Sequence, residues 1–404
     1  MLRVLGTAAT FALGAQAFYS SGDAFKSMEE ICQENGFGTE SYTLVTPDDY
    51  VLSLYRIPGT FQEMQAGTKK PAVLMMHAQD CDMMEWVWNE SDKANAFILA
   101  RAGYDVWLGN NRGNKYSTGH LTLTTKDKDY WDFYQEDMGL KDLPTIIDFI
   151  LESTGQETIS YVGHSEGTTQ MFLGASLNPE YFTQRINLFI ALAPVSTTAN
   201  ISNKAIVEAA KHINLLEFAI VHELKYYNWF APMPVADGAI DMICGILPDA
   251  CKAVGSHVHN KDGVDNPARF DVFMSNEPSG QSYRTFVYYA QMINNKKFTR
   301  YDYGPIKNQK VYGQREAPLV PIENYNVPTV LMSGDIDGLA TPADVAWLSE
   351  TLGDKVVFQK QYHMDHFTFA LGKDMSFFSE DAVAQLHKYN PVSQATDVET
   401  FLAN

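Results

Sequence analysis

Three short stretches of this chain could do chemistry together. The first, Tyr161-Val-Gly-His-Ser-Glu-Gly-Thr-Thr-Gln170, holds the pattern G-x-S-x-G around Ser165. The second, Leu331-Met-Ser-Gly-Asp-Ile-Asp-Gly338, offers the carboxylates Asp335 and Asp337. The third, Tyr362-His-Met-Asp-His-Phe-Thr-Phe369, offers the imidazoles His363 and His366. A serine hydroxyl is a weak nucleophile until a neighbouring imidazole takes its proton. The imidazole needs a carboxylate to fix its tautomer and stabilise its cation. Attack on a carbonyl also creates an oxyanion, which needs backbone N–H donors. Glu166 N–H, directly after the serine, is one candidate donor, and Gln79 N–H, in His77-Ala-Gln79, is the other. Glu166 raises a question of its own, because its side chain sets a carboxylate beside a developing negative charge.

G-x-S-x-G alone is a weak pattern in a chain with 27 glycines. A helix-capping serine is the bland reading of Ser165. Position strengthens the sharper one: Ile159–Val162 is a short apolar strand and Thr168–Leu177 reads as helix, so the serine falls on a strand-to-helix turn. The acid and histidine stretches each follow another short apolar strand, Thr329–Met332 and Val356–Phe358, and the chain order Ser, Asp, His matches such sites. His164 and His77 read as packing or hydrogen-bonding residues beside the site.

The remaining elements must hold these loops in place. Ser41–Thr46 and Tyr50–Ile57 alternate as two strands joined by a turn at Pro47-Asp48-Asp49. Ala72–Met76, Tyr104–Leu108 and Leu188–Ala193 are further apolar strands, with helices expected over 95–101 and 137–153, the latter despite Pro144. Strands alternating with helices imply right-handed crossovers and a mainly parallel sheet. From about Thr198 to Glu323 that rhythm breaks into aromatic-, Met- and Pro-rich sequence without clear strands. Because sheet strands resume afterwards, this reads as an insertion over the C-terminal edge of the sheet, with an independent domain as the alternative.

Composition narrows the class. Apolar residues make up 45% of the 404 and charged residues 20%, as in a protein with a large core. A net charge of −19 argues against nucleic acid or an anionic membrane surface as main partner. MLRVLGTAATFALGAQAFYSS has the layout of a signal peptide, with cleavage expected after Ala17. No later segment has the roughly 18 unbroken apolar residues of a membrane span. Of four cysteines, the close pair Cys244 and Cys251 could clip a loop in a secretory compartment, while Cys32 and Cys81 could be paired or free. None has zinc-ligand spacing, and no metal site is expected. Asn89-Glu-Ser91 and Asn200-Ile-Ser202 fit the N-glycosylation pattern.

Four segments give the chain a family resemblance: Ala96-Phe-Ile-Leu-Ala-Arg-Ala-Gly-Tyr-Asp-Val-Trp-Leu-Gly-Asn-Asn-Arg-Gly-Asn114, Asp142–Phe149, Tyr161–Thr169 and Ala191-Leu-Ala-Pro-Val195. On these the chain resembles the acid lipases, the family of gastric and lysosomal acid lipase, from about Tyr42 to Asp374. The resemblance implies an α/β-hydrolase fold, a mainly parallel sheet flanked by helices with an inserted, mostly helical cap or lid. It also implies boundaries: a signal peptide at 1–17, hydrolase core at 18–197 and 324–404, and the cap at 198–323. It selects Asp337, which starts D-x-L-A-x-P as Asp337-Gly-Leu-Ala-Thr-Pro342, and His366, which starts H-x-x-F-x-x-x-x-D ending at Asp374. Asp335 and His363 become loop neighbours. Cys244 and Cys251 roughly match an insertion disulfide of the family.

Two departures matter. The family's His-Gly-Leu is here His77-Ala-Gln79, which removes a glycine's backbone freedom, and its GHSQGTT is here GHSEGTT. The implied activity is hydrolysis of carboxylic esters of lipids, triacylglycerols or sterol esters, at an oil–water or micelle interface, by a secreted or lysosome- or vacuole-directed enzyme without cofactor. A short-chain carboxylesterase or phospholipase on the same fold is the alternative. A remoter one is an inactive lipid-binding protein, and an epoxide- or halide-cleaving relative would carry Asp in place of Ser165. The oligomeric state is left open.

Overall fold

The computed structural model describes residues 22–229 and 262–392. In chain order the strands are β1 (Glu40–Val45), β2 (Tyr50–Ile57), β3 (Ala72–Met76), β4 (Asp105–Gly109), β5 (Gly119–His120), β6 (Ile159–His164), β7 (Ile186–Leu192), β8 (Asn228–Trp229), β9 (Gln281–Ser282), β10 (Thr329–Gly334) and β11 (Val356–Tyr362). The main sheet runs β1-β2-β4-β3-β6-β7-β10-β11, with β5 on β2, and the order crosses over on both sides of β3. β1, β2 and β5 pair antiparallel, and every pairing from β4 to β11 is parallel.

Why the inner strands read as unbroken apolar runs is plain from their two faces. All five residues of β3 are buried. Ala72, Leu74 and Met76 pack with Trp107, Met138, Tyr161 and Phe172 on one side, and Val73 and Met75 pack with Trp86, Phe97, Val106 and Phe369 on the other. Helices cover both faces, so there is no polar alternation to see. β1 and β2, at the edge, do alternate.

The helix through Pro144 survives by a local adjustment. Gln135–Asp137 continues through a wider π-type turn at Met138–Asp142 into Leu143–Thr154, where Pro144 lies in the first turn. Because the helix runs on from Gln135, Pro144 is an interior proline, and the wider turn just before it, where Leu143 N–H reaches back to Met138 O, is where the helix accommodates the ring and the missing N–H. β7 and β10 are direct neighbours, so the chain between them leaves the sheet and returns to the adjacent position. Its described part is mostly helical: Lys204–Lys211, Ile213–Glu217 continuing to Glu223, Phe270–Asn276, Tyr283–Asn295 and Pro305–Tyr312. The only strands described there are the two-residue β8 and β9. Residues 1–17 and the pair Cys244 and Cys251 lie outside the described residues.

Candidate active site

β6 ends at His164 and the helix Glu166–Leu177 begins two residues later, leaving Ser165 to make the whole turn. It does so with φ 50° and ψ −110°, a left-handed backbone that costs a non-glycine residue on the order of 1–3 kcal/mol. Glycines on either side make the tight turn fit. A Cβ on Gly163 would stand 2.7 Å from Gly167 O, and one on Gly167 would stand 2.3 Å from Met76 O. The elbow thus presses directly on the end of β3, where the His77–Gln79 loop starts.

Around this turn the structure brings together the serine, one of the two acids and one of the two histidines. Ser165 Oγ is 2.8 Å from His366 Nε2 and His366 Nδ1 is 2.9 Å from Asp337 Oδ2. All three residues are buried, with Ser165 keeping 8% exposure. Asp337 Oδ1 accepts from Leu339 N–H at 2.8 Å and Ala340 N–H at 2.9 Å, so the carboxylate is held on both oxygens. Burial pushes Asp337 up, but His366 and these two N–H groups outweigh it and leave the carboxyl below its usual range. For His366 burial acts downward, while Asp337, Asp365 and Glu85 raise it, and the net direction is up. An ionised Asp337 only accepts, so Nδ1 carries the proton and Nε2 is left to accept from the serine hydroxyl. Such an arrangement can deprotonate Ser165 during attack on an acyl carbon.

The second acid–histidine couple lies at the surface. His363 Nδ1 lies 3.1 Å from both oxygens of Asp335, but the side chains are 58% and 43% exposed. Asp337 and His366, rather than these neighbours, stand in the hydrogen-bonded line to Ser165.

Glu166 N–H opens the helix, where no intrahelical acceptor exists for it. Gln79, the other expected donor, follows Ala78, whose peptide groups are both tied down. Ala78 N–H donates to Glu85 Oε2 at 2.7 Å, and His77 Nδ1 lies 2.8 Å from Ala78 O. His77 Nε2 in turn accepts from Asn111 N–H at 3.1 Å and faces Asn114 Nδ2 at 3.2 Å. The expected handicap of alanine in place of glycine does not materialise, because Ala78 does not need a left-handed backbone. Asp80 takes it instead, at φ 63°.

The side chain of Glu166 is fully buried, and its oxygens accept from Gln135 Nε2 at 2.8 Å and Gln281 Nε2 at 2.7 Å. Burial raises its pKa, bonds from Gln135 and Gln281 offset this in part, and the carboxyl is pushed up to about 8. Below that pH it is neutral, and its O–H needs an acceptor. The carbonyl oxygens of Gln135, Gln281 and Asn111 are buried without a hydrogen-bond partner, so a half-turn of one amide supplies it. The charge expected beside the oxyanion is absent over the acid and neutral range.

Sequence reasoning missed both Gln135 and Gln281, which approach Glu166 from 31 and 115 residues away and have no local pattern. It singled out the stretch WLGNNRGN without its job. Arg112, fully buried, holds Asp142 (2.6 Å) and Asp48 (2.7 Å), while Asn111 and Asn114 hold His77.

Other expected sites fare differently. Asn200 is exposed, although its Nδ2 donates to Asp344 at 2.8 Å. Asn89 is 2% exposed, and its Nδ2 donates to Gly372 O at 2.8 Å. A glycan must grow from that nitrogen into solvent, so the folded chain disfavours Asn89 as acceptor. Cys32 and Cys81 are free, buried thiols, and burial pushes Cys32 up to about 12. Among the described residues there is no grouping suited to a metal ion and no helix long and apolar enough to cross a membrane.

Sheet order, serine elbow and loop placement define an α/β hydrolase. The profile described as "alpha/beta hydrolase fold" matches residues 90–218, and one described as "Partial alpha/beta-hydrolase lipase region" matches residues 28–90. The chain belongs to the acid lipase family and is a carboxylic ester hydrolase of lipids. It is 34% identical to human lipase member K, over 87% of this chain and 88% of that one. It is 31% identical to human gastric triacylglycerol lipase, over 93% of each. A solved structure from Sulfolobus solfataricus matches with TM-score 0.50 at 16% identity, covering 88% of this chain and 94% of that one, a likeness of fold alone.

Proposed function

We propose that this lipase cleaves long-chain triacylglycerols and sterol esters through an acyl-enzyme on Ser165. The observation that carries the reading is the buried chain from Ser165 Oγ through His366 to Asp337, at 2.8 and 2.9 Å. Ser165 Oγ attacks the ester carbonyl as its proton passes to His366 Nε2, and Asp337 stabilises the imidazolium that forms. Glu166 and Gln79 N–H hold the oxyanion, each donor contributing about 10²–10³ in rate. His366 then protonates the departing alcohol. Water attacks the acyl-enzyme by the same route in reverse and releases the fatty acid.

Residues 198–323 serve in this reading as a cap over an acyl-binding pocket. Support comes from Gln281 on Glu166 and from Tyr289 Oη 3.0 Å from Thr169 Oγ1, which seat this segment on the nucleophile helix. Residues 1–17 would be removed on secretion or delivery to a lysosome or digestive vacuole, with Asn200 glycosylated and Cys244 bonded to Cys251. The substrate acts from an emulsion or micelle surface.

The test is a hydrolysis panel of emulsified triolein, cholesteryl oleate, phospholipid and short-chain esters from pH 4 to 8, with fluorophosphonate labelling of wild type and Ser165→Ala. Labelling of the wild type alone, with turnover of the two neutral lipids, is the expected result. Preference for phospholipid or short-chain esters would replace the substrate class, and an unlabelled wild type would overturn the mechanism.

A further inference from the structure

Behind the three residues assigned to chemistry lies a second buried acid–imidazole pair. Glu85 lies on the helical turn Met83–Val87, just after the Ala78–Gln79 loop, and His164 is the last residue of β6. Both are fully buried. His164 Nδ1 meets Glu85 Oε1 in a close contact, and Glu85 Oε2 accepts Ala78 N–H at 2.7 Å. On its other side His164 Nε2 lies 2.9 Å from the backbone oxygen of His366. One continuous line therefore runs from the Gln79 loop, through the residue beside Ser165, to the backbone of His366.

Counting protons fixes what this line can be. A carbonyl oxygen only accepts, so His164 Nε2 carries a hydrogen and donates it to His366 O. Ala78 N–H donates, so Glu85 Oε2 accepts. That leaves one proton between Glu85 Oε1 and His164 Nδ1, on one atom or the other. The pair is neutral as a whole and satisfied at all four ends. This is the condition under which a buried pair avoids a severe desolvation penalty. Packing alone would be met as well by apolar side chains of similar volume. What apolar side chains could not do is hold two loop backbones at a fixed separation.

The consequence falls on the Gln79 N–H. It belongs to the same peptide group as Ala78 O, which His77 Nδ1–H holds at 2.8 Å, while Glu85 holds the peptide group before it. Both planes flanking Ala78 are set by side chains, so the direction of the Gln79 N–H is set too.

We propose that Glu85 and His164 are positioning residues for ester hydrolysis, a brace that keeps the Gln79 donor in register with His366. This rests on the assignment of Ser165, His366 and Gln79 made above. The brace touches no substrate and acts only by holding groups that meet the transition state. Its loss therefore falls on kcat rather than KM.

The test compares Glu85→Ala, Glu85→Asp and Glu85→Gln in the full-length enzyme, with active sites counted by fluorophosphonate titration. In Glu85→Gln the side-chain oxygen can still accept Ala78 N–H and the amide can donate to a neutral His164 Nδ1. All three bonds survive, and at least a third of wild-type kcat per titrated site is expected. Glu85→Ala should lose about 10²-fold in kcat, the scale of a misplaced oxyanion donor, with KM within threefold. Glu85→Asp, which keeps the carboxylate but falls short in reach, should lie between and guards against a fold too damaged in the alanine variant. Unchanged kcat per site in Glu85→Asp and Glu85→Ala would overturn the proposal, as would a Gln variant as slow as the Ala variant. Slow but complete labelling of the Ala variant separates failure of the brace from failure of the Ser165 assignment, which would leave even the wild type unlabelled.

Discussion

The two loops past β10 and β11 each carry an aspartate and a histidine, and they pair them twice. Asp337 with His366 and Asp335 with His363 are separated by nearly the same stretch of chain, 29 and 28 residues, and their contacts are 2.9 and 3.1 Å. The residue types match, but the surroundings do not. The first pair is buried, its carboxylate is held by two further N–H groups, and its imidazole has a serine on the far nitrogen. The second pair is about half exposed, and beyond Asp335 its imidazole approaches, among the described residues, Asp262 at 4.0 Å. An exposed ion pair of this kind contributes about 0–1 kcal/mol. In the proposed mechanism, what separates the catalytic couple from a surface contact is burial together with a third partner.

The sharpest way to break the comparison is to exchange each acid for its amide. Asp337→Asn leaves the shape but can present an N–H to His366, which flips the tautomer and takes the lone pair away from Ser165. A fall in kcat of about 10⁴-fold is expected. Asp335→Asn should leave kcat within twofold. Equal losses from the two exchanges, measured on one emulsified ester, would show that exposure does not separate the pairs.

A second contrast lies within the site. Asp337 and Glu166 are both buried carboxyls, yet they move in opposite directions. Asp337 has an imidazole, whereas Glu166 has only amides, and the titratable groups that face it are Asp80, Tyr161 and Tyr289, none of them a cation. Between its ordinary value of 4.5 and about 8, folded Glu166 keeps a proton that the unfolded chain has released. Stability contributed by Glu166 is therefore complete below pH 4.5 and falls as pH rises, by up to about 1.4 kcal/mol per unit. Glu166→Gln removes that slope. Urea unfolding of both proteins at pH 4.5, 6 and 7.5 should find them close in acid, with the variant gaining steadily toward pH 7.5. A gap that ignores pH would mean that Glu166 is already ionised in the fold.

The same exchange has a smaller kinetic effect. At an effective dielectric of about 20, like charges several ångströms apart repel by roughly 2 kcal/mol, or about thirtyfold in rate. While Glu166 is neutral that term is missing, so pH–rate profiles of wild type and Glu166→Gln should coincide up to about pH 7. Well above pH 8 the wild type should fall behind by about thirtyfold. Divergence beginning below pH 6 would overturn the neutral-acid account.

How much of this was legible depends on whether the cause was local. β3 and the helix Asn95–Arg101 fall where the apolar run and helical spacing put them, because burial on both faces leaves that signature. The helix over 137–153 was readable from its apolar spacing, whereas the wider turn at Met138–Asp142 that accommodates Pro144 has no local pattern. The elbow was readable because only small flanking residues fit it. By contrast, Gln135 and Gln281 around Glu166, and Glu85 on Ala78 and His164, are contacts across long stretches of chain between residue types common on any surface. Nothing in their neighbours marks them. Asn89 shows the same division: its sequon is local, while its burial against Gly372 and Asn266 is not.

The finest test of the two pairs is the acid limb of the pH profile. A free imidazole must accept the serine proton, so activity falls as pH drops through the pKa of His366. Asp337, Asp365 and Glu85 all hold that pKa up, which places the limb at a higher pH than a bare imidazole would. Asp365 is the one of the three that can be neutralised with little disturbance. Its Oδ1 accepts His366 N–H at 2.8 Å, and the oxygen of an asparagine can do the same. Asp365→Asn should therefore lower the pKa of His366 and move the limb of kcat/KM to lower pH by a fraction of a unit, with the plateau rate within twofold. Asp335→Asn removes a charge from the exposed pair, where solvent screens it, and should leave the limb in place. If both variants move it equally, His366 responds to net charge rather than to its buried neighbours, and the distinction between the pairs is one of placement alone.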